Sequence, residues 1–473
     1  MYTDGRPVST PVELAQSMRS QLHTFVAPLL RELDFRMDAR LVRTFASALE
    51  SILVFRNRAM GLLLSELGGY LLNPEHAPAG TKRLSNLLRS PKWSDKTVGR
   101  YVWEQADRRL KDLERSDESG RSGEEALLLW DQSVLEKPES IKTEGLCAVR
   151  STKAVRLKRI KPGFYNPPGG RPVFVPGFEW LCLMLAGLSP RSGPAQVAVM
   201  QWWTKRGEYA TDLRTLQTKV LSWCAQQWRR RVLHVFDRGY SGDYWLSTLL
   251  YFGVRFVVRW PNRYHLLIAE SFAEGQELPA FRIATGKKAW DEKQLFDTHT
   301  KDRRTIKILA FSVRHPKHYR LLNRNQDKPL WLVVARSGAG REPWYLLTNE
   351  PAETKEDAWR IYFAYHRRWQ VELSFRFNKC ELGMESPRLW RFENRLKLLA
   401  MVTLVYAFLM SLMTQAAQKI VQTLLRDFCH RTGKRGREVS TPLYRLRAAL
   451  SRLWLAFPRH PSPSIQLSVQ NPG

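Results

Sequence analysis

The sequence predicts an α/β protein: helices layered around a mostly parallel sheet, a β-rich block inserted into it, and helical segments before and after. Three observations predict this. Between 126 and 260, short β-branched or aromatic runs alternate with amphipathic stretches, the pattern of strands feeding crossover helices. From 262 to 350 the helical period fades, and strand-like runs are separated by Gly, Pro and charged turns. On either side, residues 12–112 and 355–428 carry apolar positions at three- and four-residue steps, the helical signature.

Taken in order, residues 1–112 are a helical N-terminal region. Lys82, Arg83, Arg89, Lys92, Lys96 and Arg100 lie among Trp93 and Trp103 there. Basic residues interleaved with aromatics suit DNA recognition, and a solvated helix face explains them equally well. The polar stretch 113–125 (LERSDESGRSGEE) has no apolar period and is a linker. The α/β unit begins at 126. Ala126–Trp130 ends at Asp131, and Cys147–Thr152 and Val173–Val175 are further strands. Asp212–Gln227 is helical, Val232–Phe236 is a strand ending at Asp237, Gly242–Phe252 is helical, and Val254–Trp260 is a strand. The insertion covers 262–354, with strands at FRIAT (281–285), TIKILAFSV (305–313), LWLVVA (330–335) and WYLLT (344–348). Residues 355–415 return to helix and 416–458 form basic C-terminal helices. There Leu443, Leu446, Leu450, Leu453 and Leu455 make an apolar stripe, fit for a second subunit or for the chain's own core. The tail 459–473 is expected to be disordered.

Composition bounds the function. Subtracting 45 acidic from 75 basic side chains leaves +30 over 473 residues, so a polyanion is the leading partner. A hydrophobic content of 44% with 11% aromatics excludes wholesale disorder. Leu398–Met413, the most apolar run, contains Thr403, Tyr406 and Ser411 and falls short of the roughly 20 residues that span a membrane. A buried helix is the expectation, with no membrane partner. Five cysteines without a CxxC, and an N-terminus lacking a basic-then-apolar pattern, place the chain in a reducing, cytoplasmic setting. No GxxxxGK[ST] loop occurs, so no nucleotide cofactor is expected, and no GxSxG elbow or HExxH points to a rival chemistry.

Asp131 and Asp237 each end a predicted strand, where α/β enzymes place their chemistry. Each alone is more readily a turn former or helix cap, and Asp243, near Asp237, has the placing of a cap. The third acid changes that balance. Within IYFAYHRRWQVELSFRFNKC (361–380), Tyr365, Arg368, Glu372 and Lys379 follow at steps of 3, 4 and 7 and share one helix face. Trp369, Leu373 and Phe377 form an adjoining apolar stripe expected to dock on the sheet. Three carboxylates suit Mg²⁺ or Mn²⁺, and two such ions can serve an in-line phosphodiester displacement. Arg368 and Lys379 would then contact DNA phosphates rather than tune a pKa.

Tyr365-x2-Arg368-x3-Glu372-x6-Lys379 resembles the Y-x2-R-x3-E-x6-K signature of a large family of DDE transposases from bacterial insertion sequences. WDQS (130–133) is similar to the family's first-aspartate strand, FDRGY with FVVRW (236–240, 256–260) to its second-aspartate region, and WYLLTNEP (344–351) to the strand before the signature helix. The resemblance implies an RNase H-like core interrupted by a β-rich insertion between the second aspartate and the glutamate. The separations agree: 237 − 131 = 106 residues, then 372 − 237 = 135. It implies Asp131, Asp237 and Glu372 as the catalytic and metal-binding triad with two Mg²⁺ or Mn²⁺ ions. Tyr365, Arg368 and Lys379 become contacts to the transposon end. Trp344 sits where some members stack a flipped base, and a packed core tryptophan is the equal alternative. The family also implies a homodimer that pairs the DNA ends.

The expected function is therefore cleavage at transposon ends and strand transfer into target DNA through a hairpin intermediate. Two rivals stand beside it: an RNase H-like nuclease that cleaves without joining, and a catalytically inactive, domesticated DNA-binding protein.

Overall fold

A computed structural model describes residues 10–55, 61–115, 123–137, 140, 142–151, 173–268, 277–296, 303–316, 330–338, 340–414, 417–430 and 442–458. The expected disordered tail, the middle of the expected linker (116–122) and the basic residues Arg431, Lys434, Arg435 and Arg437 lie outside them. Helices α1 (Pro11–Asp34), α2 (Ala39–Val54), α3 (Leu64–Leu71) and α4 (Ala77–Arg89) come first, then α5 (Asp95–Glu114). Strands β1 (Ala126–Glu136), β2 (Cys147–Arg150), β3 (Phe174–Gly187) and β4 (Gln196–Trp203) follow. Helix α6 (Leu213–Trp228) leads into β5 (Val232–Phe236), and α7 (Asp243–Tyr251) into β6 (Arg255–Arg259). Next are β7 (His265–Ile268), β8 (Glu277–Pro279), the short helix α8 (Ala280–Ala284), β9 (Asp291–Phe296) and β10 (Arg303–Arg314). Strands β11 (Leu330–Arg336) and β12 (Trp344–Thr348) precede helices α9 (Lys355–Arg367) and α10 (Trp369–Cys380). The chain then runs through α11 (Phe392–Ser411), α12 (Gln418–Asp427) and α13 (Leu443–Ala456).

It divides into two compact units. One comprises Met1–Ser94, Cys380–Arg388 and Lys397–Gly473; the other comprises Asp95–Lys379 and Leu389–Leu396. The first is helical. On α2, Phe45, Ala48, Leu49, Ile52 and Leu53 are buried at helical spacing. Its last carbonyls would be orphans; buried Arg447 of α13 donates to the carbonyls of Ile52 and Phe55, and Ser451 Oγ to that of Val54 at 2.7 Å. Lys397 does the same for α4, reaching the carbonyls of Leu88 and Ser90 at 3.1 and 2.7 Å. Of the C-terminal leucine stripe, Leu446, Leu450 and Leu453 are fully buried in this unit, whereas Leu455 is exposed. Among the described residues, only α11 is long and apolar enough to cross a membrane, and 78% of its apolar window is buried within the protein. That is the pattern of a core helix.

The second unit is built on a 12-stranded mixed sheet, ordered β2-β3-β1-β5-β6-β12-β11-β10-β7-β8, with β4 on β3 and β9 on β10. Only β1–β5 and β5–β6 are parallel pairs; the others are antiparallel, so the expectation of a mostly parallel sheet is corrected. The reason lies in FVPGFEWLCLMLAG and QVAVMQWW (174–187 and 196–203), which form a β-hairpin (β3–β4) beside β1. Both runs are apolar without an even alternation, so only Val173–Val175 stands out as strand from sequence. The inserted strands do not make a separate sheet, because β12 pairs with β6 and continues the same one. FRIAT, expected as strand, is mostly helix α8. Its apolar residues Ala280, Ile283 and Ala284 are buried one helical turn apart.

Along β1, alternate residues face opposite sides. Leu128 and Trp130 point into a core shared with Trp103 of α5, Trp228 of α6 and Trp245 of α7, where Trp103 stacks on Trp228 with centroids 3.9 Å apart. Leu127, Leu129 and Asp131 therefore point to the other side, where α9 packs on β5, β6, β10, β11 and β12. Thr354 and Asp357 close a capping box at the start of α9.

Candidate active site

The expected single helix over 361–380 is broken at Arg368. The Arg368 amide bonds to the Tyr365 carbonyl and the Val371 amide to the Arg368 carbonyl, each at 3.0 Å and each a residue short of α-helical spacing. Flanking side chains hold the break. Buried Arg367 donates to the carbonyls of Gly187 and Gly193 at 3.0 and 2.8 Å, and Gln370 accepts from the Ala195 amide at 2.6 Å. The β3–β4 turn thus anchors the junction between α9 and α10. The break changes which face of α10 docks. Of the stripe expected against the sheet, Trp369 and Leu373 are 53% and 52% exposed while Phe377 is buried; Val371, Ser374, Phe375 and Asn378 are buried with it. Phe375 meets Trp180 of β3 edge-on at 4.6 Å.

Asp131 is not past the end of its strand but inside it, since β1 runs to Glu136 and Asp131 pairs with Cys182 of β3. What ends nearby is the parallel ladder with β5, whose last partners are Leu129 and Val235. Carrying that register on by two residues sets Asp131 beside Asp237, both on the face opposite Trp130. Asp237 directly follows β5 and caps a 3₁₀ turn, its Oδ1 accepting from the Gly239 amide at 2.8 Å. Asp243 lies in the first turn of α7 and pairs with His315 at 2.9 Å, a separate arrangement.

One guanidinium joins the first acid to the third. Arg368 Nη1 donates to Asp131 Oδ2 at 2.8 Å, and Nη2 donates to Glu372 Oε1 at 2.6 Å. Asp131 is 7% exposed, and its Oδ1 accepts from the Gln132 amide at 2.8 Å. Burial, the largest influence, pushes Asp131 up to about 7. Arg368 pulls against it, and the nearby charges of Asp237 and Glu372 push the same way as burial. Asp237 and Glu372 therefore both lie within electrostatic reach of Asp131. For Arg368 itself, burial pulls the pKa down, and Tyr365, Asp131 and Glu372 together raise it.

The rest of the signature lies alongside. Lys379 Nζ donates to Ser133 Oγ at 2.7 Å, and Ser133 shares Asp131's face of β1. Tyr365 is buried, with the Arg368 guanidinium 5.8 Å from its ring. Burial raises its pKa most, and the positive charges of Arg368 and Arg259 of β6 pull it down. Trp344 is half-buried, stacked on Tyr362 at 5.4 Å and edge-on to Tyr365 at 5.0 Å. It lines a cavity of about 180 Å³ together with Tyr362, His366, Arg304, Arg341 and Glu342. By contrast, Trp93 and Trp103, expected among DNA-facing cations, are buried, while Lys82, Arg83, Arg89, Lys92, Lys96 and Arg100 are exposed.

Ser133, Arg259, Arg367 and Gln370 are site residues that sequence reasoning missed. Arg259 carried one signal, a cation inside the otherwise apolar run FVVRW; the others carried none.

The donor types fit hard divalent cations: three carboxylates and no sulfur or imidazole. Their arrangement does not, because the Arg368 guanidinium lies between Asp131 and Glu372. Among the described residues no group of three or more His, Cys, Asp or Glu is placed to hold a metal ion.

No protein-family model and no curated protein matches the sequence. Among solved structures, the chain is similar to one described as a cryo-EM structure of a piggyBac transposase synaptic complex with hairpin DNA. The TM-score is 0.39 with 12% identity, covering 98% of this chain and 84% of that one.

Proposed function

We propose that this protein is a DNA transposase of the DDE type that cuts at the ends of an insertion sequence and joins them to target DNA. The observation that carries the reading is that Asp131 and Glu372, 372 − 131 = 241 residues apart, meet at one guanidinium, with Asp237 near enough to influence Asp131. A meander of β1, β3 and β4 with β5 and β6 added in parallel to β1 is the arrangement expected of an RNase H-like core, and it supports that assignment. The complete Tyr365, Arg368, Glu372, Lys379 signature supports the insertion-sequence affiliation.

Asp131, Asp237 and Glu372 would hold Mg²⁺ or Mn²⁺. Such ions supply charge stabilisation for the attacking and leaving oxygens of a phosphodiester. The remaining steps belong to the chain's own groups. Arg368 and Lys379 would take DNA phosphates, Arg368 through its planar fork. Tyr365 would hold the backbone beside them. The solvent-facing side of Trp344 would receive an extruded base in the hairpin step, its other face being occupied by Tyr362. End pairing by a homodimer and a cytoplasmic location complete the proposal.

The test is a joining assay. Protein is incubated with DNA carrying the flanks of its own gene, a supercoiled target plasmid and Mg²⁺. Joined products support a transposase; cleaved ends without joining would support a nuclease instead.

A further inference from the structure

We infer that Arg368 is an internal stand-in for the divalent cation, closing the acid site until it is displaced. The inference rests on the reading of Asp131, Asp237 and Glu372 as metal ligands. Arg368 spends both terminal nitrogens on the acids, one on Asp131 Oδ2 at 2.8 Å and one on Glu372 Oε1 at 2.6 Å. Its side chain is only 12% exposed, as is fitting for a group that neutralises like charges left close together, and Asp131 is buried beside it. Without a counter-charge, buried Asp131 and the partly exposed Glu372 would repel each other. A single guanidinium bridging both relieves this.

The placing of Arg368 is built into the fold. It is the residue at the break between α9 and α10, and Arg367 and Gln370 on either side tie that break to the turn between β3 and β4. A continuous α-helix would require the Arg368 and Val371 amides to bond one residue further back. The Arg368 fork and a divalent ion cannot occupy the same oxygens, so one must leave for the other to bind. A displaced, desolvated guanidinium needs another planar pair of acceptors, and a phosphodiester provides one. DNA at the site and cation entry are thereby coupled through one side chain.

The test uses the full chain and Mn²⁺ alone, with bound ion counted by electron paramagnetic resonance in wild type, Arg368→Gln, Arg368→Lys and each of these combined with Glu372→Ala. Arg368→Lys keeps a positive charge but cannot bridge both acids, and it guards against a folding failure of the glutamine variant. The expected result is at least a ~10-fold gain in Mn²⁺ affinity in Arg368→Gln, the equivalent of about one charge-assisted hydrogen bond. A smaller gain is expected in Arg368→Lys, with both gains abolished by Glu372→Ala. Adding duplex DNA from the gene's flanks should bring the wild type up to the variant. Equal affinities in wild type and Arg368→Gln, both lost on Glu372→Ala, would overturn the inference while leaving the metal triad standing. Absence of any Glu372-dependent Mn²⁺ binding, with or without DNA, would overturn both.

Discussion

His234 and Ser133 show what single residues can and cannot disclose. His234, on β5 three residues before Asp237, is fully buried, and its Nδ1 accepts from Trp130 Nε1 at 3.0 Å. Burial first, and then Arg255, depress its pKa from 6.5 to about 3. The folded state thus keeps His234 neutral where the unfolded chain would protonate it. Its contribution to stability is complete above pH 6.5 and is lost as pH falls toward 3. Denaturant titrations across that window should show a shallower loss for His234→Gln, which keeps an acceptor for Trp130; an unchanged slope would refute the assignment. The acids stood out for the opposite reason: Asp237 and Glu372 stand beside distinctive neighbours in short motifs. Ser133 acts through a partner 246 positions away, and nothing local marks a residue for a contact that distant.

At the scale of elements, α10 separates what the helical period conveys from what packing decides. The period places Glu372 and Lys379 on the side of the sheet's acids, and they are found there. It also favours Trp369 and Leu373 as the docked face, because it assumes an unbroken helix; the turn at Arg368 shifts the phase and buries Phe375 instead. Phe375→Ala should therefore cost about 3–5 kcal/mol of stability, whereas Leu373→Ala should stay within about 0.5 kcal/mol, both read by chemical unfolding. Equal losses would show that the helix docks as the simple period predicts. The strands followed the same division. Val232–Phe236 and Trp344–Thr348 were legible to the residue, being short apolar runs bounded by Asp or charge. The β3–β4 hairpin was not, since buried strands lack the alternation that separates strand from helix.

Over the whole molecule, the net charge of +30 was readable without any structure and makes a prediction independent of the acids. Binding to duplex DNA should weaken linearly on a plot of log affinity against log salt, at about 0.9 per phosphate contacted. Arg368→Gln with Lys379→Gln should reduce that slope by roughly two if both take phosphates; an unchanged slope would assign them only structural roles. The catalytic claim needs a different experiment. Glu372→Ala and wild type should be compared for nicking of DNA carrying the gene's flanking sequence in Mg²⁺, with DNA binding measured in parallel. The account predicts binding retained and nicking abolished in the variant; nicking at the wild-type rate would contradict it.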